Sequence, residues 1–331
     1  MNLKDSSILI TGGTGSFGHA FTDYLIHNTD VRRIVIYSRD EYKQFLMRQT
    51  FAKHDERLRF FIGDIRDEGR LRRALNSVDY AIHAAAMKQV VACEYNPIEA
   101  IKTNIEGATN LINAALDNPS MKKVIALSTD KAVNPINLYG GTKLVSDKLF
   151  SSANSYSGLG QCTFSVVRYG NVACSRGSVV PFFREQMASG IDELPLTDVR
   201  MTRFWMTLGE AVKLVMKALT LSKRGEVFVH KNPSFYISDL IAAMNTHGRH
   251  KIVGIREGEK LHEAMITSDD SRTTYEYEDH YIIYPQYNWW NKEKHLILGG
   301  KPVDTGWSYE SDKNTWWLTV EELKNRVESL H

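Results

Sequence analysis

Two groups of side chains in this sequence have the types and spacing for proton and hydride chemistry. Tyr139 and Lys143 are four residues apart, so on a helix they share one face, where an ammonium can lower the phenol pKa by its charge and leave a usable base near neutral pH. The same ammonium can hold ribose hydroxyls. Upstream, Ser128-Thr129-Asp130-Lys131 ends an apolar run, and Lys131 precedes Tyr139 by eight residues. Alone, such a Tyr–Lys pair reads equally well as a solvated helix pair, so the chemistry requires a cofactor close by.

The sequence has a place for one. Thr11-Gly12-Gly13-Thr14-Gly15-Ser16-Phe17-Gly18 follows the first apolar run and opens a helical pattern. Glycines 12, 15 and 18 permit a tight turn, close approach of backbone to a pyrophosphate and close helix packing, with Thr14, Ser16 and Phe17 in the same turn. The helix N-terminus then faces the phosphates. At the end of the second run stands Tyr37-Ser38-Arg39-Asp40-Glu41-Tyr42-Lys43. Arg39 and Lys43 can reach a ribose 2′-phosphate and Ser38 can donate to it, which favours NADP. Asp40 is the feature that would suit the free ribose hydroxyls of NAD, and a solvated helix start is the plainer alternative. After the third and fourth runs, Asp64 can accept from an adenine amino group, Ile65 can pack on its ring, and Ala84, Ala85 and Ala86 leave room for the dinucleotide backbone.

The elements that must position these residues alternate. Apolar runs at 8–10, 34–37, 59–62, 80–83, 124–127 and 164–168 are separated by amphipathic patterns such as 97–116 and 139–154. That alternation predicts an α/β fold, a Rossmann-type doubly wound parallel sheet with helices on both faces. It weakens after Tyr169, so we expect a dinucleotide-binding domain over 1–170, whose core can take back later strands, and a smaller substrate-binding region with a tail over 171–331. Trp289, Trp290, Trp307, Trp316 and Trp317 cluster near the end, as a tail packed on the body or as a subunit contact.

Composition narrows the class. Forty-one basic against 39 acidic residues leave a net charge of +2 in 331 residues, too balanced for a general nucleic-acid binder. Cys93, Cys162 and Cys174 form no CxxC pair, so neither a disulfide framework nor a metal site is indicated. The apolar run after the first seven residues is too short for a leader or membrane span, and we expect a cytoplasmic protein without membrane insertion. The cations that matter are local: Arg39, Lys43, Lys88, Lys131, Lys143 and Arg256.

Several long segments make the reading narrower. Residues 127–140 (LSTDKAVNPINLYG), 167–172 (VRYGNV), 175–183 (SRGSVVPFF), 201–205 (MTRFW) and 256–263 (REGEKLHE) resemble the extended short-chain dehydrogenases/reductases, and within them the configuration-inverting UDP-N-acetylglucosamine 4,6-dehydratases of polysaccharide biosynthesis. The likeness runs from about residue 5 to 270 and more loosely through 309–323. Asp130-Lys131 is its discriminating dipeptide, since retaining dehydratases typically carry Asp-Glu there. The resemblance departs at 87–93 (MKQVVAC), at Ala173-Cys174 and at Gly141, which bear on the sugar pocket more than on the reaction type.

The resemblance implies NADP as cofactor, UDP-N-acetylglucosamine as substrate and Asp130, Lys131, Tyr139 and Lys143 as the catalytic set, with Ser128 and Thr129 beside the cofactor. Tyr139 takes the proton of the 4-hydroxyl as carbon 4 is oxidised. Lys131 removes the carbon 5 proton, which requires a neutral amine with its pKa depressed by burial or cationic neighbours. Asp130, protonated, assists departure of the 6-hydroxyl. Reduction at carbon 6 and protonation of carbon 5 from the opposite face give UDP-2-acetamido-2,6-dideoxy-L-arabino-hexos-4-ulose, an early intermediate towards pseudaminic acid or related capsule, O-antigen or flagellin sugars. Lys88 is placed over cofactor and sugar, Asn171, Val179, Val180 and Pro181 along the nucleotide sugar, Arg256 at the diphosphate and Glu259 at the uridine ribose. A homo-oligomer, dimer or hexamer, is implied as well. An epimerase or 4-ketoreductase shares Tyr139 and Lys143 but has no use for Asp130-Lys131. A non-catalytic NADP-binding regulator would have no use for any of the four.

Overall fold

Strand β1 (Ser7–Thr11) sends Ile8 and Ile10 to one buried face and Leu9 to the other. The division repeats in β2 (Arg33–Ser38), with Ile34 and Ile36 opposite Val35 and Tyr37. A strand covered on both sides carries apolar residues without interruption, which is why these segments stand out in the sequence. The computed structural model describes residues 3–158, 161–173, 177–245, 247 and 249–330. Cys174, Ser175 and Arg176 of the motifs above lie outside them.

With β3 (Leu58–Ile62), β4 (Tyr80–His83), β5 (Lys123–Thr129) and β6 (Thr163–Tyr169), these strands form a parallel sheet in the order β3-β2-β1-β4-β5-β6. The order reverses between β1 and β4, and the carboxyl ends on either side of that point frame the crevice where such sheets bind ligands. Helices Glu68–Ala74, Gly107–Leu116 and Leu138–Ala153 cover one face through Leu71, Leu111 and Phe150. Helices Ser16–Asn28 and Leu208–Leu221 cover the other through Phe21, Leu25, Val212 and Val215. Each such fully buried side chain contributes about 1.5–3 kcal/mol.

The sheet does not end near residue 170. Val227–His230 pairs in parallel with β6, and His280–Ile283, Thr274–Glu276 and Lys301–Pro302 extend it as antiparallel strands. Between these returns, Phe183, Leu194, Trp205, Phe235, Leu240 and Leu323 build a smaller core. Short strands brace it: Thr202–Phe204, which carries the cavity-lining Arg203, pairs with Ser234–Tyr236, and Ala264–Ile266 with Tyr309–Glu310.

The amphipathic pattern at 97–116 is not one regular helix. Pro97–Ile101 and Gly107–Leu116 are joined by a π-helical turn, Lys102–Glu106, which buries Asn104 so that its amide holds the Met87 carbonyl and the Thr142 hydroxyl, both at 2.9 Å. Such irregular turns often sit at functional sites, and this one fixes the chain that follows β4. Of the terminal tryptophans, Trp307 stacks against Tyr309, Trp317 against Tyr236 and Trp290 packs on Tyr284, whereas Trp316 is exposed. No helix among the described residues is long and apolar enough to cross a membrane.

Candidate active site

The turn after β1 is shaped by what its glycines exclude. Gly12 has φ +65°, and a Cβ there would lie 2.8 Å from the Ala85 amide nitrogen. A Cβ on Gly18 would overlap the Gly13 carbonyl. The β1 turn and the alanines after β4 are therefore in backbone contact, and the helix Ser16–Asn28 starts directly above them. A cavity of about 900 Å³ opens over this floor. Gly12, Thr14, Gly15, Ser16, Phe17, Gly18, Ala84, Ala85 and Ala86 line it, as do Ser38, Arg39, Asp40, Lys43 and Ile65. A bare-backbone cradle beside a helix N-terminus fits a dinucleotide pyrophosphate.

The far end of the cradle is cationic. Asp40 caps the helix Glu41–Thr50 by accepting from the Lys43 amide, and its carboxylate pairs with the Lys43 amine at 3.0 Å. Its role is thus local, and Arg39 extends beside it with most of its side chain exposed. Asp64 does not join the cavity lining. Arg66 binds both its carboxylate oxygens, with Arg39 at 3.7 Å, so the carboxylate expected at the adenine is held between two arginines.

Tyr139 is positioned by three local features. Asn137 caps the helix Leu138–Ala153 by accepting from the Gly140 amide at 2.8 Å. A Cβ on Gly140 would collide with the Lys131 carbonyl, so glycine lets the helix start rest on the turn Asp130–Ala132. Cys93 and Ala100 pack against the ring. Lys143 lies one turn on and donates to the Leu127 carbonyl at 2.7 Å. Ser128 also lines the cavity, with its hydroxyl donating to the buried Asp147 at 2.6 Å.

The electrostatics depart from the sequence expectation in two ways. Burial pushes the Tyr139 phenol up to about 12, and the opposing cation is Lys131 rather than Lys143, with the Thr129 hydroxyl assisting. Burial alone would lower Lys131, but the Asp130 and Glu263 carboxylates outweigh it and raise the amine above its usual value. The requirement that Lys131 be neutral is therefore not met in the protein by itself. Its amine touches Asp130 Oδ1 and Asn171 Oδ1 at 3.2 Å and Glu263 Oε1 at 3.4 Å. Lys88, also lining the cavity, is lowered by burial and by Lys131.

Asp130 sits behind this arrangement. It is 1% exposed, accepts from the Thr129 hydroxyl at 2.8 Å and is absent from the cavity wall, whereas Thr129, Lys131, Tyr139 and Lys143 are on it. Among the charged residues that sequence reasoning passed over, Arg203 and Glu263 are on the wall as well. Both lie inside quoted motifs, MTRFW and REGEKLHE, and the signal was a charge set among strand-forming residues that fold to a buried face. Arg203 is tied to the Thr202, Leu261 and Lys260 carbonyls and approaches Glu263 Oε1 at 3.8 Å.

The remaining wall is the sugar-nucleotide side. Asn171, Val179, Arg256 and Glu259 line it, but Val180 is buried in the smaller core and neither it nor Pro181 reaches the cavity. Glu259 is held between Arg203 at 3.6 Å and the Thr197 hydroxyl at 3.4 Å, and Arg256 is exposed at the rim. Gly258 accepts from the Asn137 side chain at 2.7 Å, fastening this rim to the start of the Tyr139 helix. Gly141 has open space where a Cβ would stand.

Known proteins are similar to this chain over nearly all of its length. The inverting UDP-N-acetylglucosamine 4,6-dehydratase of Campylobacter jejuni is 52% identical over 322 residues, 96% of each chain. A protein named UDP-glucose 4-epimerase from Rickettsia canadensis is 39% identical over 99% of this chain and 96% of its own. The structure of Pen from Bacillus thuringiensis superposes with a TM-score of 0.90 at 36% identity, covering 99% of this chain and 98% of that one. Residues 8–285 match the family described as polysaccharide biosynthesis protein. With its Rossmann sheet, glycine turn and Tyr139–Lys143 helix, the chain belongs to the polysaccharide biosynthesis protein family of extended short-chain dehydrogenases/reductases.

Proposed function

We propose that the protein is an inverting UDP-N-acetylglucosamine 4,6-dehydratase, a hydro-lyase. The observation that carries this reading is the Asp130–Lys131 pair, whose amine lines the cavity together with Tyr139. An epimerase needs only Tyr139 and Lys143. The Campylobacter jejuni relative supports the same assignment.

A nicotinamide dinucleotide bound along the glycine turn supplies the hydride acceptor for carbon 4 and the donor for carbon 6. The cradle of Gly12, Gly15, Gly18 and Ala84–Ala86 holds its pyrophosphate, and Arg39 and Lys43 select NADP through the 2′-phosphate. Lys143, anchored on the Leu127 carbonyl, holds the nicotinamide ribose. Tyr139 accepts the proton of the 4-hydroxyl. Lys131 removes the carbon 5 proton made acidic by the new ketone, and the Asp130–Lys131 pair protonates the leaving 6-hydroxyl. Arg256 and Lys88 meet the diphosphate and sugar, Glu259 meets the uridine ribose, and the chain after residue 170 supplies most of this wall. The product is the L-arabino 4-ketose, on a route to pseudaminic acid or a related surface sugar. We infer a cytoplasmic homo-oligomer, in keeping with a nucleotide-sugar substrate.

Mass spectrometry of a brief incubation with UDP-N-acetylglucosamine tests the reading. A product lighter by one water and reducible by borohydride is the expected result. A product of unchanged mass would replace the dehydratase with an epimerase.

A further inference from the structure

Three separate stretches of chain converge on the Lys131 amine: the turn Asp130–Ala132, the strand Thr202–Phe204 with Arg203, and the residue before the strand Ala264–Ile266, Glu263. Glu263 is 2% exposed, and its backbone is clamped by Ser311 from both sides, amide to hydroxyl at 2.9 Å and carbonyl to amide at 2.8 Å. Oε1 faces Lys131 and Arg203, while Oε2 is buried with no hydrogen-bond partner among the described residues. A carboxylate oxygen without a donor is costly in such a place. Unlike Asp130, Glu263 lies on the cavity wall.

We propose that Glu263 is a positioning residue for the elimination step, which holds the Lys131 amine towards carbon 5 of the sugar. This rests on the dehydratase reading. The step balances: the carbon 5 C–H bond breaks, an N–H bond forms on the neutral Lys131 amine, and the electron pair passes into the enolate of the carbon 4 ketone. Charge supports it. Glu263 pairs with both Lys131 and Arg203 and Asp130 with Lys131, so two carboxylates offset two cations in the buried cluster. Lys260, which donates to the Val133 carbonyl, Glu259, which pairs with Arg203, and Tyr139 and Lys88 on the far side of Lys131 complete the charged surroundings.

The test compares wild type, E263Q and E263D with UDP-N-acetylglucosamine and the cofactor in heavy water. Cofactor reduction in a single turnover reports oxidation of carbon 4, and deuterium at carbon 5 reports proton removal. In E263Q carbon 4 oxidation stays within about threefold of wild type while carbon 5 exchange and product fall by about 10²–10⁴-fold, so reduced cofactor accumulates. E263D recovers part of the exchange. If E263Q makes product within about threefold of wild type, or if folded variants lose both steps equally, the proposal is overturned. Should E263Q not fold, E263D carries the same comparison, with selective loss of exchange supporting the proposal and equal loss overturning it. Wild type that forms no 4-keto product refutes the dehydratase reading instead.

Discussion

The Lys131 amine lies 3.4 Å from Glu263 Oε1 across 132 residues of sequence, and this contact joins the turn after β5 to the segment that walls the sugar side. It makes the reactive lysine a property of the whole fold, because both carboxylates that hold it, Asp130 and Glu263, are buried. Lys131→Met keeps most of the volume and removes the base. We expect product formation to fall by about 10²–10⁴-fold with cofactor binding retained, measured by product NMR and by quenching of cofactor fluorescence. Stability should also drop, by about 3 kcal/mol, because two buried carboxylates lose their shared cation; chemical denaturation measures that.

The pH dependence follows from the same contacts. Tyr139 and Lys131 both act as bases, and both are raised in the protein, the phenol by burial to about 12 and the amine by its carboxylates against burial. A raised pKa leaves the basic form scarce at neutral pH, so kcat/KM should climb with pH well past neutrality. A profile already flat near neutral pH would show that ligand binding, and not the free protein, sets these groups.

His83 ends β4 fully buried, bonded through Nδ1 to the Thr11 hydroxyl at 2.9 Å with Nε2 unpartnered among the described residues. Burial and then the Lys143 charge lower it to about 3. Its folded pKa lies below the unfolded value of 6.5, so in the window between them the unfolded chain binds the extra proton and stability falls as pH falls. One proton corresponds to at most about 1.4 kcal/mol per pH unit. His83→Asn can keep a donor towards Thr11, and urea unfolding should show a shallower acid slope than wild type between about pH 6 and 4.5.

The strands and the cofactor turn were legible because they are local: alternation of apolar residues and three glycines determine them within ten residues of chain. Tyr139 and Lys143 were legible for the same reason, both lying on one helix. The charge state of Lys131 was not, since it depends on Glu263 and Arg203, which reach it through strands far along the sequence. The π turn at Lys102–Glu106 was hidden too, because the buried Asn104 finds its partners at Met87 and Thr142, outside the turn. Asp64 read as an acceptor for the adenine amino group from its strand end, yet Arg66 two residues on binds both its oxygens.

Two adjacent glycines separate packing from propensity. Gly140→Ala forces a Cβ into the Lys131 carbonyl, while Gly141→Ala meets nothing within 4 Å. The first should lower the thermal midpoint and impair activity through displacement of Tyr139. The second should stabilise the protein by about 0.5–1 kcal/mol, the helix advantage of alanine over glycine, with activity kept. Thermal unfolding of the two variants side by side checks both.

The most direct measurement is proton NMR of the product formed from UDP-N-acetylglucosamine in heavy water. The account predicts a 4-keto-6-deoxy sugar carrying deuterium at carbon 5 in the L-arabino configuration. A 4-hydroxy product with its original carbon 5 proton would contradict it.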